Sequence, residues 1–281
     1  MSLTALLLVL AAAFAHAGWN LAAKSAGAGG PAFVWLYSAA AATIYLPFAA
    51  VIALNGQPLG FAAVLGMGLS ALLHTGYFLL LQHGYAVGDM SVVYPLARGT
   101  GPLLSVLAAV LLFGERPGLL GLLGAGTVVV GVLVIGGGGR AGGSAVLFAL
   151  LTGVMIAAYT LWDAYAVKEL GVPPLVLNWG SAMGEVLMLA PYAATHRSQV
   201  RLSWRLHRRA VLAVAVLSPL AYILVLVAVQ TTPVSLIAPA RELSIVIGGI
   251  AAWRLFGEKD PVRRIGGSVV VLAGVAMLAL A

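Results

Sequence analysis

The chain has 281 residues, of which 62% are hydrophobic and only 8% charged, with a mean hydropathy of +1.06 and a formal charge of +7. A soluble domain carries about a quarter charged residues, so this composition cannot cover a water-facing surface and specifies a multi-pass membrane protein. The absence of cysteine excludes disulfides, thiolate metal sites and thiol nucleophiles, and because the basic residues sit between apolar runs, they speak for membrane topology and not for nucleic acid.

Stretches of about 20 apolar residues cross roughly 30 Å of hydrocarbon. Ten are predicted: 3–23, 32–54, 61–86, 91–113, 118–136, 144–167, 174–194, 210–229, 234–256 and 262–280. The first contains Ala15-His16-Ala17, which imitates a signal-peptidase site, but no Lys or Arg precedes it, so it is read as a mature helix. Its His16, Asn20 and Lys24 form an i, i+4, i+8 stripe beside Trp19. Gly27 to Pro31 leads into the second span, and Asn55-Gly-Gln-Pro58 ends it. The third span stacks Ala62, Gly66, Ser70, His74 and Phe78 on one stripe with Tyr77 alongside, and His83 near its end reads as interfacial. After Gly88-Asp89 the fourth aligns Tyr94, Arg98, Pro102 and Ser105. Glu115-Arg116-Pro117 is read as fixing the turn to the fifth span.

The glycine run 136–143, with Arg140, is the one internal linker; no Lys-Ser/Thr follows it, so it is no phosphate loop. In the sixth span Tyr159, Trp162 and Asp163 share a face. Gly171-Val-Pro-Pro174 opens the seventh, where Asn178, Ser181 and Glu185 form a polar face that reads as an interhelical cluster. The basic stretch 197–209 is read as a loop before the eighth span, which carries Tyr222. The ninth carries Pro239, Arg241 and Glu242. Trp35, Trp179, Trp204 and Trp253 lie near span ends and read as a membrane-interface belt.

The chain is written twice. Ser91-Val-Val-Tyr-Pro95-Leu-Ala-Arg98 returns as Ser235-Leu-Ile-Ala-Pro239-Ala-Arg241, and Leu112-Phe-Gly-Glu115-Arg116 returns as Leu255-Phe-Gly-Glu258-Lys259. Trp19-Asn20 likewise pairs with Trp162-Asp163, and Pro47-Phe-Ala-Ala50 with Pro191-Tyr-Ala-Ala194. The boundaries are 1–138 and 144–281, five spans each. Because five is odd, the second copy enters from the opposite side, so the expected fold is an all-α membrane protein of two inverted five-helix repeats with its site between them. The side without the termini holds eleven Lys and Arg between spans and the other side only Arg116 and Lys168. The positive-inside rule then places both termini in the periplasm of a bacterial inner membrane.

An ionisable residue inside a span is a functional candidate by default, which singles out His16, His74, His83, Arg98, Asp163, Glu185, Arg241 and Glu242. For Arg98 and Arg241 two roles stand side by side: pairing with acids or carbonyls, or contact with substrate. Pro95 and Pro239 loosen the local hydrogen-bond ladder. The metalloprotease, nucleophile-elbow and Walker A motifs are absent, and no histidines or carboxylates stand at metal-ligand spacing on one helix, so neither catalysis nor a cofactor is expected.

The paired Leu-Phe-Gly-Glu signatures, the prolines before them, His16-Ala-Gly-Trp19-Asn20 and the ten-span duplication resemble the EamA-type transporters of the drug/metabolite transporter superfamily. The resemblance covers essentially the whole chain. It implies metabolite export, best described at this span count in amino-acid exporters of the YddG type. It also implies a central cavity between spans 1, 3, 4 and 6, 8, 9, which here would be lined by Trp19, Asn20, His74, Tyr77, Tyr94, Arg98, Tyr159, Trp162, Asp163, Tyr222, Arg241 and Glu242. Small four-helix relatives carry a membrane-embedded Glu in their first helix; the matching positions here are Asn20 and Asp163. Many ten-helix relatives have cytoplasmic termini, whereas the charge count here argues the reverse. The resulting expectation is a secondary transporter, monomeric or weakly dimeric, that moves amino acids outward through the bilayer by alternating access. Aromatic faces would hold an ammonium and an arginine a carboxylate. Uptake, flipping of a lipid-linked sugar, and intramembrane catalysis by Asp163, Glu185 or His74 are the other readings.

Overall fold

The computed structural model describes residues 1–25, 30–56, 60–88, 90–136, 142–256 and 261–281. Eleven helices run through them: α1 Leu3–Ser25, α2 Gly30–Asn55, α3 Phe61–Val87, α4 Met90–Phe113, α5 Gly118–Gly136, α6 Gly143–Lys168, α7 Pro174–Thr195, α8 Arg197–Thr231, α9 Val234–Ala240, α10 Leu243–Phe256 and α11 Pro261–Leu280. No strand occurs among the described residues. In hydrocarbon the backbone has no water to bond with, and helices satisfy it internally. Of the described helices, α1 to α6 and α8 have both the length and the hydropathy to cross a membrane. The readings of Gly27, Pro58, Asp89, Arg140 and Glu258-Lys259, and of the Lys24 and Trp253 side chains, fall outside the described residues.

Neighbour relations repeat across the two halves. Helix α3 packs on α6 as α8 packs on α1, α4 on α6 as α10 on α1, and α3 on α7 as α8 on α2. Three pairs of counterparts meet directly: α2 with α7, α5 with α11, and α4 with α9. The first two pairs run antiparallel. In one, Ser38 reaches Glu185 while Trp179, earlier in α7, reaches Ala42, later in α2. In the other, Gly124 faces Gly274 and Gly131 faces Gly267.

That second pair shows how the halves are joined where lipid supplies no hydrophobic drive. Small residues let backbones approach until dispersion holds them. A Cβ at Gly131 would stand 2.9 Å from the Gly267 carbonyl oxygen, and one at Gly274 would stand 2.8 Å from that of Gly124. Both contacts are with backbone, which cannot rotate away.

The structure changes two element readings. The stretch 197–209 is helical: α8 begins at Arg197 and bends at His207, whose φ and ψ of −124° and 16° leave the helical region. Its first turns expose Leu202, Trp204 and Leu206 together with Arg201 and Arg205. That mixture suits a helix lying in the headgroup layer. The ninth span, in turn, is not continuous. It breaks between α9 and α10 at Arg241-Glu242, where the amides of Glu242, Ser244 and Ile245 bond to carbonyls three residues back instead of four.

The short α9 is held at its start by the other repeat. Its N-cap, Pro233, has no side-chain acceptor. The Glu115 carboxylate serves instead, accepting from the amides of Val234 and Ser235, both at 2.8 Å. Glu115 therefore caps a helix some 120 residues away, where the sequence reading had it fixing the local turn. Trp179 also departs from the belt reading, since its indole N–H donates to the Ala42 carbonyl at 2.9 Å and ties α7 to α2.

Substituting Gly131 by Leu should lower stability by about 1–3 kcal/mol, the usual cost of overpacking. Gly126→Leu, on the open side of the same helix, should be nearly silent. Thermal melts of the purified protein in detergent check both; equal losses would remove the Gly–Gly contact as the joint.

Candidate functional site

Where α9 gives way to α10, three charged side chains are buried together. Arg241 is 1% exposed, Glu242 0% and Arg98 of α4 7%. Arg98 Nη2 lies 2.9 Å from Glu242 Oε2, and Arg241 Nε lies 3.5 Å from Glu242 Oε1. The distances are those of ion pairs, but neither carboxylate oxygen forms a hydrogen bond of proper angle, and Arg98 Nε, Arg241 Nε and Arg241 Nη2 have no hydrogen-bond partner within the protein. Charge holds this triad together, and it keeps spare donors. The two equivalent arginines of the two repeats thus share one acid.

From Arg241 the site continues through aromatic rings. Its guanidinium lies over Tyr159 of α6, 5.8 Å from the ring centre, within cation–π range. Tyr159 stacks on His74 of α3 at 4.1 Å and 25° and meets Tyr77 and Tyr222 edge-on. His74 Nε2 lies 3.0 Å from Asp163 Oδ2, and the Tyr222 hydroxyl donates to the same oxygen at 2.6 Å. Asp163 is fully buried, and its Oδ1 has no partner within the protein. On the α4 side, the Arg98 guanidinium lies 6.0 Å from the Tyr94 ring centre. One chain of contacts therefore runs from Tyr94 through Arg98, Glu242, Arg241, Tyr159 and His74 to Asp163 and Tyr222. It links α3, α4, α6, α8 and the α9–α10 break.

Three of the residues read from the sequence lie off this chain. Trp19 donates its indole N–H to His16 Nδ1 at 2.6 Å and packs on the cluster of Phe33, Ala210, Val211 and Val214. Asn20 spends its amide on the His16 carbonyl of its own helix at 2.7 Å. Trp162 donates to the Gly66 carbonyl at 2.9 Å, stitching α6 to α3 while its neighbour Asp163 enters the network. The other candidate charges have local roles. Glu185 accepts from Ser38 at 2.7 Å, a partner on α2 and not the Asn178/Ser181 face of its own helix, and His83 packs on Phe148. The sequence reading missed Thr160 and Ser235, whose buried hydroxyls have no partner within the protein. Thr160 sits one turn before Asp163, a spacing that would have found it. Among the described residues no group of His, Asp and Glu could hold a metal ion.

The EamA-like transporter model matches the chain twice, over residues 3–137 and 143–280. The chain belongs to the EamA-like transporter family. It is a multi-pass membrane transporter of the drug/metabolite superfamily, a group whose members move solutes and are not enzymes. No curated protein matches the chain. Twenty-nine chains of solved structures do, among them one titled only "Crystal structure of protein". That one is similar over 100% of this chain and 98% of its own, with a TM-score of 0.79 at 18% identity. At that identity the likeness speaks for the fold alone.

Removing the Tyr222 hydroxyl leaves a buried carboxylate oxygen one donor short, which typically costs about 1–3 kcal/mol. Tyr222→Phe should therefore melt several degrees lower than the parent, and Tyr192→Phe, which loses only an exposed bond to Gln199, should not. A Tyr222→Phe melt equal to the parent's would contradict the contact.

Proposed function

We propose that this transporter exports amino acids by alternating access, as a YddG-type exporter does, and that the chain Tyr94–Arg98–Glu242–Arg241–Tyr159–His74–Asp163–Tyr222 is its substrate path. The observation that carries the reading is the broken span. Carriers built from inverted repeats bind their substrates at the repeat interface, on interrupted helices whose freed polar groups face the site. Here the interruption falls on Arg241-Glu242, opposite the equivalent arginine of the other repeat. A zwitterion with an apolar body suits cations with spare donors, carboxylates and three tyrosines in one chain of contacts. Charges buried this deeply are costly in a membrane, and a scaffold gains nothing from them.

In this reading the chain makes ten crossings, with α9 and α10 as two parts of the ninth. Units 1–138 and 144–281 are the moving halves, Trp19, Asn20 and Trp162 border the path, and the protein works as a monomer or weak dimer in the bacterial inner membrane. Both termini face the periplasm. The surface helix at the start of α8, with Arg197, Arg201 and Arg205, supports that orientation, because such helices with their arginines collect on the cytoplasmic face.

A C-terminal alkaline phosphatase fusion should be active and a C-terminal fluorescent fusion dark; the reverse pattern would invert the orientation. For transport, cells overproducing the protein should tolerate toxic amino-acid analogues, and preloaded vesicles should release labelled amino acids unchanged. Asp163→Asn should lower that efflux about tenfold or more, whereas Glu185→Gln, which disturbs a bond between α2 and α7, should mainly lower the melting temperature. Wild-type efflux from Asp163→Asn would remove Asp163 from the path, and a parent that releases no amino acid would overturn the substrate class.

A further inference from the structure

The arginines that would hold a substrate carboxylate already hold one. We infer that Glu242 is a tethered stand-in for the substrate's carboxylate, and that a zwitterionic substrate binds by inserting into the Arg98/Arg241–Glu242 cluster. Its carboxylate takes Glu242's place on the guanidinium groups, and its ammonium pairs with the Glu242 carboxylate it displaces. The inference rests on the reading of this network as the transport site.

Three observations carry it. The pairing leaves donors over. Arginine and carboxylate are shaped for a two-bond fork, yet each guanidinium meets Glu242 through one nitrogen, and the buried Arg98 Nε and Arg241 Nη2 lack a hydrogen-bond partner within the protein. Buried polar atoms are normally satisfied, and these two spare donors mark contacts that another partner completes. Next, the charges do not balance: two guanidinium groups face one carboxylate, so the cluster carries one positive charge in excess. An inserted zwitterion leaves that charge unchanged: its carboxylate faces the two guanidinium groups and its ammonium faces the displaced Glu242. A carboxylate alone would leave displaced Glu242 unpaired, and an amine alone would compete with the arginines for it; both are penalised in low dielectric. Last, Glu242 stands at the break between α9 and α10, where the backbone bonds run three residues back and the acid faces the arginine of the other repeat.

The acid has no equivalent in the first repeat, where Gly99 follows Arg98. The twofold pattern is broken at the one point where a twofold acid would neutralise both arginines and leave nothing for a substrate to do.

The test compares binding of one amino acid, its carboxamide and its deaminated acid to the detergent-purified parent and to Glu242→Gln, read as ligand-induced shifts in melting temperature and converted to affinities. In the parent, leucine should bind about tenfold or more tighter than leucinamide or 4-methylpentanoate, as expected for the loss of one buried charged partner. In Glu242→Gln the carboxylate site stands vacated, so 4-methylpentanoate should bind about tenfold tighter than it does to the parent, and the advantage of leucine over it should vanish. Where Glu242→Gln is too unstable to purify, Arg98→Gln/Glu242→Gln keeps the cluster's net charge and must likewise bind leucine and 4-methylpentanoate alike. A variant that keeps the parent's rank order overturns the insertion and leaves the amino-acid reading intact. A parent blind to all amino acids, beside a Glu242→Gln variant that gains 4-methylpentanoate affinity, overturns the amino-acid reading and supports the exchange of carboxylates.

Discussion

Charge inside hydrocarbon must be answered by charge, because a lone buried ion loses several kcal/mol of hydration that no apolar neighbour returns. In this chain the requirement is met by one acid and two arginines drawn from both repeats. Arg98 and Arg241 are the same residue in two copies, brought face to face, and Glu242 lies between them. Helices α4, α9 and α10 are thereby tied at one point. The aromatic chain through Tyr159 and His74 extends the tie to α3, α6 and α8, ending on a second buried acid, Asp163.

The rest of the bundle is joined by other means. Helices α5 and α11 meet backbone to backbone through glycines, an association governed by shape alone. It joins the two halves at those glycines. Glu115, reaching from the turn after α4 to the first amides of α9, fixes the far end of the interrupted span. The short helix is therefore held at both ends by residues of the other repeat, by a carboxylate at its start and by Arg98 at the break.

Twofold repetition and its local failure do different work. The packing follows the pseudo-symmetry: α3 lies on α6 as α8 lies on α1, and the counterparts α2 and α7 cross antiparallel. The chemistry does not. Asp163 stands where the first repeat has Asn20, Tyr159 where it has His16, and Glu242 where it has Gly99. The duplicated backbone repeats the packing, while unlike side chains at corresponding positions make the network one-sided.

Much of this was legible in the chain as written. Apolar runs of bilayer length gave the helices, because hydrocarbon permits little else. The repeated Pro–Arg and Leu-Phe-Gly-Glu segments marked the two units, and rarity of charge marked His74, Arg98, Asp163, Arg241 and Glu242 as candidates. The partners that lie across helix interfaces were not legible. Neither the choice of Glu242 for Arg98, nor of Ser38 for Glu185, nor of the α9 amides for Glu115 leaves a trace in local spacing. The same holds for which side of a helix is inside: Trp162 and Asp163 are adjacent in sequence, and only the packing of α3 against α6 turned one to a backbone carbonyl and the other into the network. Helical periodicity says which residues share a face; it takes the neighbouring helix to decide what that face meets.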